Sequence, residues 1–168
     1  MEYIEVNLSM VQCAYKKLSD DYINIMKKYN INPCNINLEI TESALMEDKT
    51  NLLDNINRLM EYGVKFSLDD FGTGHSNLNY IVDMPVNIVK FDKGMIDAYF
   101  ENGRAKYVMD AAMHMIQGMN LEIVAEGIET KEHFENIAKL GINFVQGYYF
   151  SKPVTAQQFL LFINENNK

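Results

Sequence analysis

Six short apolar stretches alternate with helical ones along this chain, and that alternation limits the fold more than any single residue does. Strands are expected near residues 3–8, 35–41, 64–69, 86–91, 121–126 and 142–150. In "INLEIT", Ile36, Leu38 and Ile40 alternate with Asn37, Glu39 and Thr41, the period of two that sends side chains to opposite faces of a sheet. The segments between carry helical spacing, with Leu52, Leu53, Ile56, Leu59 and Met60 on one side of a helix that Gly63 ends. Ser9 with Gln12, and Thr155 with Gln158, have the spacing of capping boxes, and Thr130 caps a further helix. Repeated strand–helix units mean parallel strands joined by helical crossovers, in an open doubly wound sheet or a (β/α)8 barrel. No G-x-G-x-x-G follows the first strand, which removes the main support for a dinucleotide-binding open sheet.

Composition narrows the function classes. A hydrophobic fraction of 48% and a charged fraction of 23% are those of a globular chain, and no apolar run reaches the ~18 residues of a membrane helix. A net charge of -8 offers no basic stripe to a nucleic-acid polymer. Cys13 and Cys34 form no ligand spacing with each other or with the histidines, so both thiols read as packing residues in a reduced, cytoplasmic setting. The start, Met1 to Val6, lacks the layout of a secretory signal.

A polar residue stands at or near the carboxyl end of every expected strand: Asn7, Glu39, Asp69 with Asp70, Lys90, Glu126 and Gln146. Barrel enzymes gather residues from separate strands at that end. Four carboxylates and an amide oxygen are hard ligands, suited to Mg²⁺ or Mn²⁺ rather than to a zinc cage. On an ideal strand Asp69 and Asp70 point to opposite faces, so both reach one site only if the chain turns there, as Gly72 and Gly74 permit. Asp70-Phe71-Gly72 also spells the metal-binding triplet of protein kinases, but the His-Arg-Asp loop and the Gly-rich hairpin that accompany it are absent.

These stretches, "VNLS" (6–9), "LEITES" (38–43), "DDFGTG" (69–74), "VKFDK" (89–93), "AEGIE" (125–129) and "VQGYYFSKP" (145–153), resemble in order and spacing the EAL-type cyclic-di-GMP phosphodiesterases, which are modified TIM barrels. The resemblance implies a two-metal site, with Mg²⁺ or Mn²⁺, that hydrolyses cyclic-di-GMP to pGpG. It implies that Asn7, Glu39, Asp69, Asp70 and Glu126 are metal ligands and that Lys90, Glu126 and Gln146 are catalytic. Glu42 resembles the glutamate that anchors the loop after Asp70. Glu129 and Asp92 fall at substrate-side or loop-anchoring positions. The resemblance also implies a homodimer, and upstream sensor or diguanylate-cyclase-like domains in a parent protein.

The family's Glu-Ala-Leu motif, whose glutamate is a metal ligand, is absent; "ESALM" (42–46) lies after Glu39 and is a different segment. An early arginine that contacts phosphate is absent too. The fold expected is therefore an incomplete TIM-like barrel of about six strand–helix units, with residues 1–168 the carboxyl-terminal part of one EAL-type domain. The parent domain is expected to be the enzyme, and the 168 residues alone to hydrolyse little or nothing. The alternative is a degenerate module that binds cyclic-di-GMP or a protein without hydrolysis. Open sheet edges point to dimerisation or strand exchange.

Overall fold

The computed structural model of the chain describes residues 3–41, 44, 49–73, 81–82, 84–101 and 103–166. Glu42, Gly74 and most of the short helix expected from Ser76 lie outside the described residues. The strands are β1 (Ile4–Asn7), β2 (Ile36–Thr41), β3 (Lys65–Phe71), β4 (Ile88–Phe91), β5 (Glu122–Ala125) and β6 (Phe144–Val145), parallel throughout and hydrogen-bonded in chain order. The helices are α1 (Met10–Cys13), α2 (Leu18–Tyr29), α3 (Lys49–Tyr62), α4 (Lys93–Glu101), α5 (Gly103–Gly118), α6 (Lys131–Ile137) and α7 (Ala156–Asn166). Such a chain-ordered parallel sheet with helical crossovers is the incomplete barrel expected.

The helix signals act where the sequence puts them. Ser9 Oγ accepts from Gln12 N while Gln12 Oε1 accepts from Ser9 N, and Thr155 and Gln158 repeat the exchange. At the end of α3, Gly63 adopts φ 108°, and the amides of Gly63 and Val64 bond back to Met60 and Leu59. Some elements differ from expectation. The helix after Ser9 is two helices, because the first turn stops after Cys13. Helix α4 was not anticipated; Asp92 starts it, its Oδ1 accepting from Gly94 N at 2.7 Å. The last strand covers only Phe144–Val145, since Gly147 to Phe150 form a turn.

Alternation divides the sheet into two faces. Leu38, Ile40, Phe66, Leu68, Val89, Phe91, Ile123 and Ala125, each at most 1% exposed, form the apolar face. Against it stand Leu52, Ile56 and Leu59 of α3 and Met109, Met113 and Ile116 of α5, in one continuous core. Each such burial contributes roughly 1.5–3 kcal/mol for a large side chain. The opposite face carries the polar residues Glu5, Asn37, Glu39, Ser67 and Lys90 together with the apolar Ile88 and Val124. The sheet curls around that face: five strand spacings separate β1 from β6, about 24 Å if flat, yet the Tyr3 and Phe144 rings meet edge-to-face at 6.3 Å.

Candidate functional site

Lys90 is the centre of the polar face. Its side chain is 3% exposed, and its ammonium is hydrogen-bonded to Glu39 on β2. Glu126 Oε1, just past β5, lies 2.6 Å from Nζ, Asp69 Oδ1 on β3 lies 3.5 Å away, and Glu5 Oε2 on β1 lies 4.0 Å away. Burial alone would lower the pKa of Lys90. The hydrogen bonds and charges of Glu126 and Glu39 outweigh it and hold the ammonium well above its ordinary range. Burial pushes the carboxyls of Glu39 and Glu126 up, and Lys90 pulls both back.

The register of β3 against β4 is interrupted at the two adjacent aspartates. Leu68 pairs with Val89 and Phe71 with Phe91, so Asp69 and Asp70 together oppose the single residue Lys90 in a β-bulge. Asp70 itself takes φ 59°, a left-handed conformation that aspartate tolerates better than most side chains. The turn expected at Gly72 and Gly74 thus begins one step earlier, inside the strand. Partial burial and the charges of Asp69 and Asp92 raise the carboxyl of Asp70, against a lowering by Lys90, so these four groups share one electrostatic neighbourhood.

The remaining expected residues lie around this centre. Asn7 is the register partner of Glu39, exposed at the end of β1. Gln146 follows β6, where its backbone carbonyl accepts from Ile128 N at 3.0 Å, and it lines a cleft with Glu5, Val124 and Phe144. Glu129 is ion-paired with Lys93 at the surface, which lowers its carboxyl pKa. Asp92 caps α4. The loops after β5 and β6 touch closely at Gly147, where a Cβ would stand 2.0 Å from Ile128 O.

Sequence reasoning missed Glu5, Asn37 and Ser67. Asn37 and Ser67 are fully buried; Asn37 Nδ2 donates to Glu5 Oε1 at 3.2 Å and to Ser67 Oγ at 3.1 Å. The signal was the spacing of Glu5 and Asn7, which puts both on one face of β1.

The donor set fits a hard divalent cation in kind. All the donors are oxygens, and Asp69 Oδ1 is buried without accepting a hydrogen bond. Among the described residues, no three His, Cys, Asp or Glu side chains converge as a preformed cation cage. The Lys90 ammonium supplies the positive charge between the carboxylates instead. Among the described residues, too, no helix is long and apolar enough to cross a membrane.

The EAL domain family profile matches residues 2–153. The chain is 37% identical over 155 residues to the oxygen sensor protein DosP of Escherichia coli, covering 92% of this chain and 19% of that protein. It is 36% identical over 157 residues to the bifunctional diguanylate cyclase/cyclic di-GMP phosphodiesterase MucR of Pseudomonas aeruginosa, covering 94% and 23%. The chain thus spans about a fifth to a quarter of these relatives' length. Among solved structures, the EAL enzyme Bd1971 with cAMP and cyclic-di-GMP bound superposes with a TM-score of 0.90 at 34% identity, over 96% of this chain and 43% of that one.

Proposed function

The chain belongs to the EAL domain family, and from that premise we propose that it is the carboxyl-proximal part of a domain that hydrolyses cyclic-di-GMP to linear pGpG with divalent cations. The observation that carries this reading is the meeting of Glu39, Asp69 and Glu126 around Lys90 at the carboxyl ends of neighbouring strands. Asn7, Glu39, Asp69, Asp70 and Glu126 would hold Mg²⁺ or Mn²⁺. Two such cations, when bound, lower the pKa of a water and offset charge on the attacking and leaving oxygens.

The chain's own side chains have distinct parts in this proposal. Lys90, held charged by its carboxylates, stabilises negative charge as it builds on the phosphoryl oxygens. The curled sheet keeps this ammonium away from bulk water, which strengthens its field at the substrate. Gln146 orients water and substrate from the neighbouring loop. Glu42 would anchor the loop after Asp70, with Asp92 and Glu129 at its substrate side. A homodimer in the cytoplasm, within a larger signalling protein, completes the proposal.

The test is turnover of cyclic-di-GMP with Mn²⁺ by the parent domain, comparing native protein with E126Q and D69N. A product other than pGpG, or unchanged turnover in both variants, would overturn it. The second reading, a module that binds without hydrolysis, draws on the lack of a preformed cation cage among the described residues. Calorimetric binding of cyclic-di-GMP with no pGpG formed by the parent domain would favour it.

A further inference from the structure

Four carboxylates face one ammonium, but they do not stand at one level. Glu39, Asp69 and Glu126 lie toward the strand ends. Glu5 lies one layer deeper, aligned with Asn37 on β2, whereas Asn7 aligns with Glu39. Glu5 Oε1 accepts from Asn37 Nδ2 at 3.2 Å, and the same amide nitrogen reaches Ser67 Oγ at 3.1 Å. Asn37 and Ser67 are wholly buried, so the cradle under Glu5 is built from side chains shielded from water. The other oxygen, Glu5 Oε2, faces Lys90 Nζ at 4.0 Å, an ion pair too long to be a hydrogen bond.

That gap has a consequence once the two-cation reading is accepted, and the inference rests on it. The cations of that reading, held by Glu39, Asp69 and Glu126 among others, take the three carboxylates that stand nearest Lys90. An ammonium on a side chain 3% exposed is shielded from water, and staying in place would set it against the cation. Glu5 is a carboxylate already within reach that the proposed ligand set does not use. We infer that Glu5 is the positioning residue for Lys90: when cations take Glu39, Asp69 and Glu126, the ammonium closes on Glu5, held there by Asn37. Lys90 then ceases to compete with the cation and remains as a fixed charge beneath the substrate.

The test is Mn²⁺ binding by calorimetry to the native chain, E5Q, K90M and the double variant. Alongside it, the Lys90 Cε signal is followed in ¹³C-lysine-labelled protein as Mg²⁺ is added. E5Q is expected to weaken Mn²⁺ binding by about tenfold, the range of an outer-shell partner. The loss should shrink in the K90M background, where no ammonium needs a second position. The Lys90 signal should move with Mg²⁺ in the native chain and move less in E5Q. If E5Q binds Mn²⁺ as the native chain does, or weakens it equally with and without Lys90, the inference fails. Should K90M not fold, the native and E5Q measurements decide alone. E39Q and D69N keep the two ideas apart. Mn²⁺ binding that survives both variants overturns the two-cation reading, whereas binding that they abolish and Glu5 does not modulate overturns only the role of Glu5.

Discussion

Glu126 Oε1 lies 2.6 Å from Lys90 Nζ, joining the end of β5 to the middle of the polar face through one buried ion pair. Lys90 is the only cation among the described residues to bridge these carboxylates. Its charge decides whether that face is tolerated inside the fold.

K90M is therefore expected to destabilise the protein by about 3–5 kcal/mol at pH 7 without metal, the range for breaking a buried ion pair. The pH dependence has a defined sign. Burial already raises the carboxyls of Glu39 and Glu126, and losing Lys90 removes the opposing pull. A carboxyl whose folded pKa lies above its unfolded value, about 4.3, destabilises above the folded pKa and stops doing so below the unfolded one. The deficit in K90M should thus shrink as pH falls from 7 toward about 4. Urea unfolding across that range checks it; a deficit that grows on acidification contradicts it.

Gly147→Ala is expected to disturb the junction of two site loops. The added Cβ would meet Ile128 O at 2.0 Å, N at 2.3 Å and the carbonyl carbon at 2.6 Å, all of them backbone. Relief requires separating the loops that carry Glu126 and Gln146, which the Ile128 N to Gln146 O bond holds at 3.0 Å. A loss of about 1–3 kcal/mol, the usual range for overpacking, is expected in thermal or urea unfolding. Unchanged stability would show that these loops sit farther apart.

Under the proposed two-cation reading, the 168 residues assayed as such with Mn²⁺ are expected to form little or no pGpG, because they contain no Glu-Ala-Leu motif. Chromatographic separation of cyclic-di-GMP and pGpG reads this directly. Robust turnover would refute it.

Self-association is expected at the open side of the sheet. Ile4 is 46% exposed at the β1 edge, and on α7 Leu160 and Leu161 are 61% and 63% exposed. Unpaired strand edges beside apolar surface favour pairing between copies. Light scattering should give a dimer at high concentration, weakened by L160E/L161E; a monomer throughout would count against it.

The two thiols should react at different rates. Cys34 is exposed and Cys13 is buried, where burial pushes its thiol pKa up, partly offset by a backbone hydrogen bond. The reactive species is the thiolate. One fast equivalent of a thiol reagent is therefore expected at pH 8 in the native protein, and two after unfolding. Two fast equivalents in the native state would mean that α1 opens readily.

The order of the strands, their parallel sheet and the polar residues at strand ends were legible in the chain, because a period of two is a local property. So were the caps at Ser9, Thr130 and Thr155, whose bonds span only three residues. What local reasoning placed less well depends on partners. The turn at Asp69–Asp70 starts in a bulge that exists only because β3 pairs with β4, and nothing in "SLDDFGTG" states that register.

The sequence by itself determined the alternation of side chains along each strand, which assigns residues to one side wherever no bulge interrupts it. Only the tertiary structure decided what they meet there. Glu5, Glu39, Asp69 and Glu126 are far apart in the chain, and the curl that brings Glu5 Oε2 to 4.0 Å from Lys90 Nζ is a property of the whole sheet. With four carboxylates and one ammonium enclosed together, burial raises the electrostatic stakes of each contact. That is why Glu5, ordinary in the sequence, becomes part of the site in the fold.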